Sequence, residues 1–101
     1  MGSATLLNDF QVQVAGTVGC VAGDSYVVTV DVLQRGPAQT LRSATAATSG
    51  VCATTGTVPW AVTVTGGPFG PRKALVQAVA FVCGVGCASD RTSVLVKLRR
   101  A

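Results

Sequence analysis

Tyr26-Val27-Val28-Thr29-Val30-Asp31-Val32 is the stretch that decides the fold. Tyr26, Val28, Val30 and Val32 fall on one side and Thr29 and Asp31 on the other, the period of two by which a strand sends alternate side chains to opposite faces. The same alternation recurs on both sides of it. Upstream, Phe10 to Cys20 sets Phe10, Val12 and Val14 against Gln11 and Gln13, with Gly16 and Gly19 as points where the strand bends or bulges. Downstream, Gly36-Pro37 turns the chain into Thr40 to Thr48, where Ala44 and Ala46 oppose Arg42, Ser43 and Thr45, small residues suited to a sheet edge. Thr57 to Thr65 gathers Trp60, Val62 and Val64 on one face, with Pro59 near its start, where a missing amide donor is tolerated. The loop Gly66-Gly67-Pro68-Phe69-Gly70-Pro71 leads into Ala74 to Cys83, and Thr92 to Leu98 closes the series.

Strands of this length and spacing in a chain of 101 residues predict an all-β fold, a two-sheet antiparallel β-sandwich of immunoglobulin-like or related Greek-key topology with six to seven strands and two disulfides. Valine and threonine are abundant and isoleucine is absent, and β-branched side chains pack well on a pleated surface. No dozen residues show apolar positions at helical spacing. The domain reads as residues 10–98, preceded by an expression scar at 1–3 and an N-terminal arm at 4–9, and followed by a basic tail at 99–101. The longest apolar run, Ala74 to Ala88, is shorter than the roughly 20 residues of a spanning helix and is interrupted by Gln77, Gly84 and Gly86. No membrane span is expected.

Cys20, Cys52, Cys83 and Cys87 stand in a chain that has no histidine and no glutamate. Paired thiols in a small domain point to an oxidising compartment, hence a secreted, extracellular protein. If the strands alternate up and down, all four cysteines come to one end, which favours Cys20–Cys52 and Cys83–Cys87. A Cys20–Cys83 bridge between sheets remains open. A zinc site would normally draw close cysteine pairs, and only Cys83 and Cys87 are near in sequence; neither metal nor cofactor is expected.

Catalysis has little to work with. Asp24 and Asp90 read as turn residues, Asp9 precedes a strand, and Asp31 lies on the solvent side of its own, so no carboxylate pair forms. A nucleophilic serine or cysteine has no histidine partner, and the chain reads as non-enzymatic. Eight lysines and arginines against four acids give a net charge of +4, but the cations are scattered and the aromatics few, which excludes a nucleic-acid groove.

What remains is binding. Ala74 to Cys83 is apolar on both faces, with Leu75, Val79 and Phe81, together with Gln77, on the second, and a sandwich strand normally buries one side only. That second side is covered by the chain itself, or it meets a partner or lines a groove. Phe69 either plugs the end of the sandwich or stands exposed on its loop. Leu6 and Leu7 pack at the base or extend as an arm, and Arg72, in Gly70-Pro71-Arg72-Lys73, is the residue a trypsin-like protease would accept from an inhibitor loop.

Gly16-Thr17-Val18-Gly19-Cys20-Val21-Ala22-Gly23-Asp24, the valine-rich alternation after it, and Pro59-Trp60-Ala61-Val62-Thr63-Val64 together resemble small exported bacterial β-sandwich domains common in actinobacteria. A more remote resemblance is to the neocarzinostatin-type apoproteins, which are immunoglobulin-like with two disulfides, one closing a short loop. That resemblance implies a hydrophobic cleft for a small apolar ligand. Three functions are therefore expected in order: a protein-binding or adaptor module using a sheet edge, an apolar strand face or a loop; a small-molecule carrier; and a serine protease inhibitor using the Gly70–Lys73 loop.

Overall fold

The computed structural model describes residues 3–36 and 40–100. Within them the chain is all β, with strands β1 (Ser3–Asn8), β2 (Gln11–Cys20), β3 (Ser25–Arg35), β4 (Leu41–Val51), β5 (Gly56–Thr65), β6 (Lys73–Cys83), β7 (Cys87–Lys97) and β8 (Arg99–Arg100). They form two four-stranded sheets, in the orders β5-β2-β1-β8 and β4-β3-β6-β7. Every pairing is antiparallel except that of β1 with β8.

The alternation read in the sequence is the alternation that builds the core. Val12, Val14 and Val18 of β2 and Trp60, Val62 and Val64 of β5 face Val28, Val30 and Val32 of β3 and Ala74, Val76 and Ala78 of β6. Burying such side chains contributes roughly 1.5–3 kcal/mol for each valine-sized group, which is what turns two pleated layers into one body. Trp60 lies across from Gly16 in the register, and a Cβ built on Gly16 would stand 2.7 Å from the indole ring. The missing side chain at Gly16 is therefore the seat of Trp60, rather than a bend.

Several expectations are corrected. The strands number eight rather than six to seven, because β1 and β8 arise from segments read as arm and tail. β1 pairs with β2 from Ser3↔Ala15 to Asn8↔Gln11, and β8 adds beside β1 through Thr5↔Arg99 and Leu6↔Arg100. Leu6 is fully buried, so its side chain belongs to the core and is not free to reach a partner. Phe10, assigned to the core face, is instead 57% exposed in the turn between β1 and β2. Asp90 is no turn residue but lies within β7, opposite Ala80. Of the residues read as scar and tail, 1, 2 and 101 lie outside the described residues, as does Pro37 of the Gly36-Pro37 turn; Gly36 N–H donates to the Thr40 carbonyl at 2.7 Å.

The disulfides are Cys20–Cys52 and Cys83–Cys87, and no described cysteine is free. The first ties the end of β2 to the connection between β4 and β5, while the second closes the β6–β7 turn. Gly23 N–H donates to Cys52 C=O at 2.8 Å and Cys52 N–H to Asp24 C=O at 2.8 Å. The longer bridge is thus set in a hydrogen-bonded corner at the cysteine end of the molecule.

Candidate functional site

The loop 66–72 and the second face of β6 are where the sequence placed binding residues, and the structure separates them sharply. Phe69 is 3% exposed: it plugs the sandwich end opposite the disulfides. Its N–H donates to Asp9 C=O at 2.6 Å, and Gly66 N–H donates to Phe10 C=O at 2.8 Å. Gly67 holds a φ of +97° and leads into a cis bond to Pro68. A backbone angle in that region favours glycine.

Gln34 holds this loop from below. Among the described residues it is the buried polar side chain of the core, and it points inward from β3 where the pattern asks for an apolar residue. Its Nε2 donates to Gly70 C=O at 2.9 Å and to Arg72 C=O at 3.3 Å, while its Oε1 accepts from Gly70 N–H at 2.8 Å. Buried amides persist when both ends are hydrogen-bonded, and this one is. Sequence reading missed it; a glutamine breaking the valine run at the next inward position after Val32 was the available signal.

The same bonds bear on Arg72. Its N–H donates to Gly70 C=O at 2.7 Å and its carbonyl accepts from Leu98 N–H at 2.9 Å. An inhibitor loop lies in a protease by main-chain pairing like an added strand, and both main-chain groups of Arg72 are already engaged. Its side chain is exposed, but the geometry does not favour the inhibitor reading.

Leu75, Val79 and Phe81 tell the opposite story. β6 lies inside its sheet, with β3 on one side and β7 on the other, and its inward face meets the core. No described segment covers the outward face. Register carries Leu33 to Leu75 and Leu75 to Leu95, Val27 to Phe81, and Thr29 to Val79. Phe81 is 48% exposed and Leu95 64%, with Val27 and Leu41 also open to water. Leu33, Leu41, Leu75 and Leu95 line a shallow groove of about 370 Å³, with Arg35 and Lys73 at its rim. Lys73 stands directly opposite Lys97, a like-charge pair that is destabilising unless something anionic lies near. The described ion pair, Arg100 with Asp9 at 3.2 Å, involves none of these cations. On this face Asp31 accepts a hydrogen bond from the Thr45 hydroxyl. Leu7, the remaining candidate, is partly exposed on β1 of the other sheet and does not join this surface.

A second concavity of about 490 Å³ opens at the disulfide end, between β2 and the β6–β7 pair. Val18, Ala80 and Val82 form part of its lining, with Asp24 and Asp90 at its sides. Among the described residues no group of three or more potential metal ligands comes together, and no helix is long and apolar enough to cross a membrane.

No family model, curated protein or solved structure matches the chain.

Proposed function

We propose that this chain is a non-catalytic, secreted binding module that recognises another protein through the outward face of the β4-β3-β6-β7 sheet. The observation that carries the reading is the uncovered outward side of β6: Leu75 meets Leu33 and Leu95 at one end, and Val79 and Phe81, the latter beside Val27, lie toward the other, with the polar rung of Thr45, Asp31, Gln77 and Ser93 between them. An antiparallel sheet ordinarily pairs a buried apolar face with a polar solvated one. Several large apolar side chains left open to water on one sheet face mark an interaction surface. Arg35, Lys73 and Lys97 beside the leucine end of this face favour a partner that sets acidic groups next to its apolar ones.

Immunoglobulin-like connectivity fits this role. It is supported by the strand order, in which β2 pairs with β5 while β3 and β6 sit together at the middle of the other sheet. The two disulfides suit an oxidising, extracellular setting.

The test is retention of a partner from native culture fluid by the immobilised chain. The Leu75→Thr/Val79→Thr/Phe81→Thr variant keeps β-branched residues on the strand, and retention is expected to fall about tenfold or more with the apolar contact removed. A chain that stays monomeric and retains nothing, or a variant that retains as well as the parent, removes the reading.

A further inference from the structure

β4 is a free edge of its sheet. β3 pairs with it on one side, from Ser25↔Val51 to Arg35↔Leu41 without a register shift, and no described strand pairs with it on the other. Just beyond its ends, Thr40 C=O accepts from Gly36 N–H and Cys52 N–H donates to Asp24 C=O. Main-chain groups of alternate residues in an antiparallel strand turn to opposite sides. The even-numbered residues of β4 therefore bond to β3, while Leu41, Ser43, Thr45, Ala47, Ser49 and Val51 turn N–H and C=O to the open side. Sheet edges are usually guarded by charge, proline or a bulge. β7, the other edge of this sheet, carries Asp90, Arg91 and Lys97, and β5, at an edge of the other sheet, carries Pro59. From Ser43 to Val51, β4 has none of these guards. Gly66 closes on Ala44 from the inner side, whereas on the outward side Leu41 is 65% exposed and Val51 67%.

We propose that this edge pairs with the same edge of a second copy of the chain, β4 antiparallel to β4 about a two-fold axis at Ala46, so that two four-stranded sheets become one continuous sheet. Such an axis makes an isologous contact, in which residue i meets j and j meets i. Ala46 is the midpoint of Leu41–Val51, so the strands overlap over their full length and the odd-numbered residues, with their free main-chain groups, come opposite one another. Small side chains meet at the middle rungs: Ser43 opposite Ser49, Ala44 opposite Thr48, Thr45 opposite Ala47. Arg42 falls opposite Gly50, and no like charges meet. At each end Leu41 of one copy lies beside Val51 of the other, an apolar cross-strand pair on the outward side. A shift of two residues in either direction parts them. The occupant is thus a second copy rather than a foreign strand, because the two exposed apolar residues of β4 stand at equal distances from its centre, where the same strand, reversed, matches both. This edge is separate from the outward face of β6, and the two proposals fail independently.

Sedimentation velocity of the whole chain from about 1 μM to about 1 mM is the measurement, since an edge contact lies at the weak end of protein interfaces. A monomer–dimer equilibrium is expected, with exchange of the odd-numbered amides of β4 slowing as the dimer forms. Ala47→Pro removes an N–H that β3 does not use; the monomer should keep its circular dichroism spectrum, and dimerisation should weaken about tenfold or more. Leu41→Lys and Val51→Glu should each weaken the dimer, and together in one chain strengthen it again by about fivefold over either alone. Positions 41 and 51 sit at opposite ends of one strand and can meet only across two copies. Phe81→Thr should leave the equilibrium unchanged. A monomer throughout the range, a dimer insensitive to Ala47→Pro, no recovery in the double variant, or a dimer lost with Phe81→Thr would each overturn the proposal.

Discussion

At the scale of single residues, two side chains carry more than their type would suggest. Gln34 is buried and spends both ends of its amide on Gly70 and Arg72. Gln34→Leu removes these partners from groups that stay away from water, a loss of about 1–3 kcal/mol. Thermal unfolding should show the lowered stability, and amide exchange in residues 66–72 should show the freed loop. Gly16 is the second. A valine there collides with the Trp60 ring, an indole wedged against a backbone, and overpacking of this sort costs about 1–3 kcal/mol. Urea titration of Gly16→Val, followed by Trp60 emission, reads both the loss and the displaced ring. Neither role was legible in the sequence. A glutamine on an apolar face and a glycine in a strand each have several meanings, and what decides between them is which residue comes opposite, a fact of register rather than of local pattern.

Strands were legible where one face is buried and the other wet, as in β2, β3 and β5, because alternation is then written in the residues. β7 was read too short. Its first half, Cys87 to Arg91, is exposed throughout, so no apolar side appears in Ala88-Ser89-Asp90. β1 and β8 were read as arm and tail for a related reason: β1 contributes one fully buried leucine, Leu6, and β8 is only two residues long. β6 is the reverse case, a strand whose excess of apolar residues was visible, while its cover was not. No described element lies on the outward face. Single replacement of Phe81 by threonine should shift stability by no more than about 0.5 kcal/mol, since a half-exposed position on an open sheet face loses little on truncation. Denaturant midpoints of the two proteins check this. A loss of several kcal/mol would mean that Phe81 is part of the core and not of a surface.

For the molecule as a whole, stability rests on a modest core reinforced by two bridges. A domain of this size buries only about 60–65% of its unfolded surface. The Cys20–Cys52 bridge spans 32 residues and Cys83–Cys87 spans 4. Chain-entropy reasoning gives about 3–4 kcal/mol for a loop of the first length and about 2 kcal/mol for the second. Cys20→Ser/Cys52→Ser should therefore unfold at lower denaturant than Cys83→Ser/Cys87→Ser, and equal midpoints would show that the corner at Gly23 and Cys52 is held by its hydrogen bonds alone. The body so pinned is long and thin, 49 × 23 × 18 Å, and gives one broad side to an apolar sheet face. That side is the centre of the account, and it is tested most directly by photo-crosslinking in native culture fluid, with a photoreactive residue at Val79 and, as control, at Gln13 on the outside of the other sheet. The account predicts a discrete heavier adduct from position 79 and none from position 13; no adduct from position 79, or the same adducts from both, would contradict it.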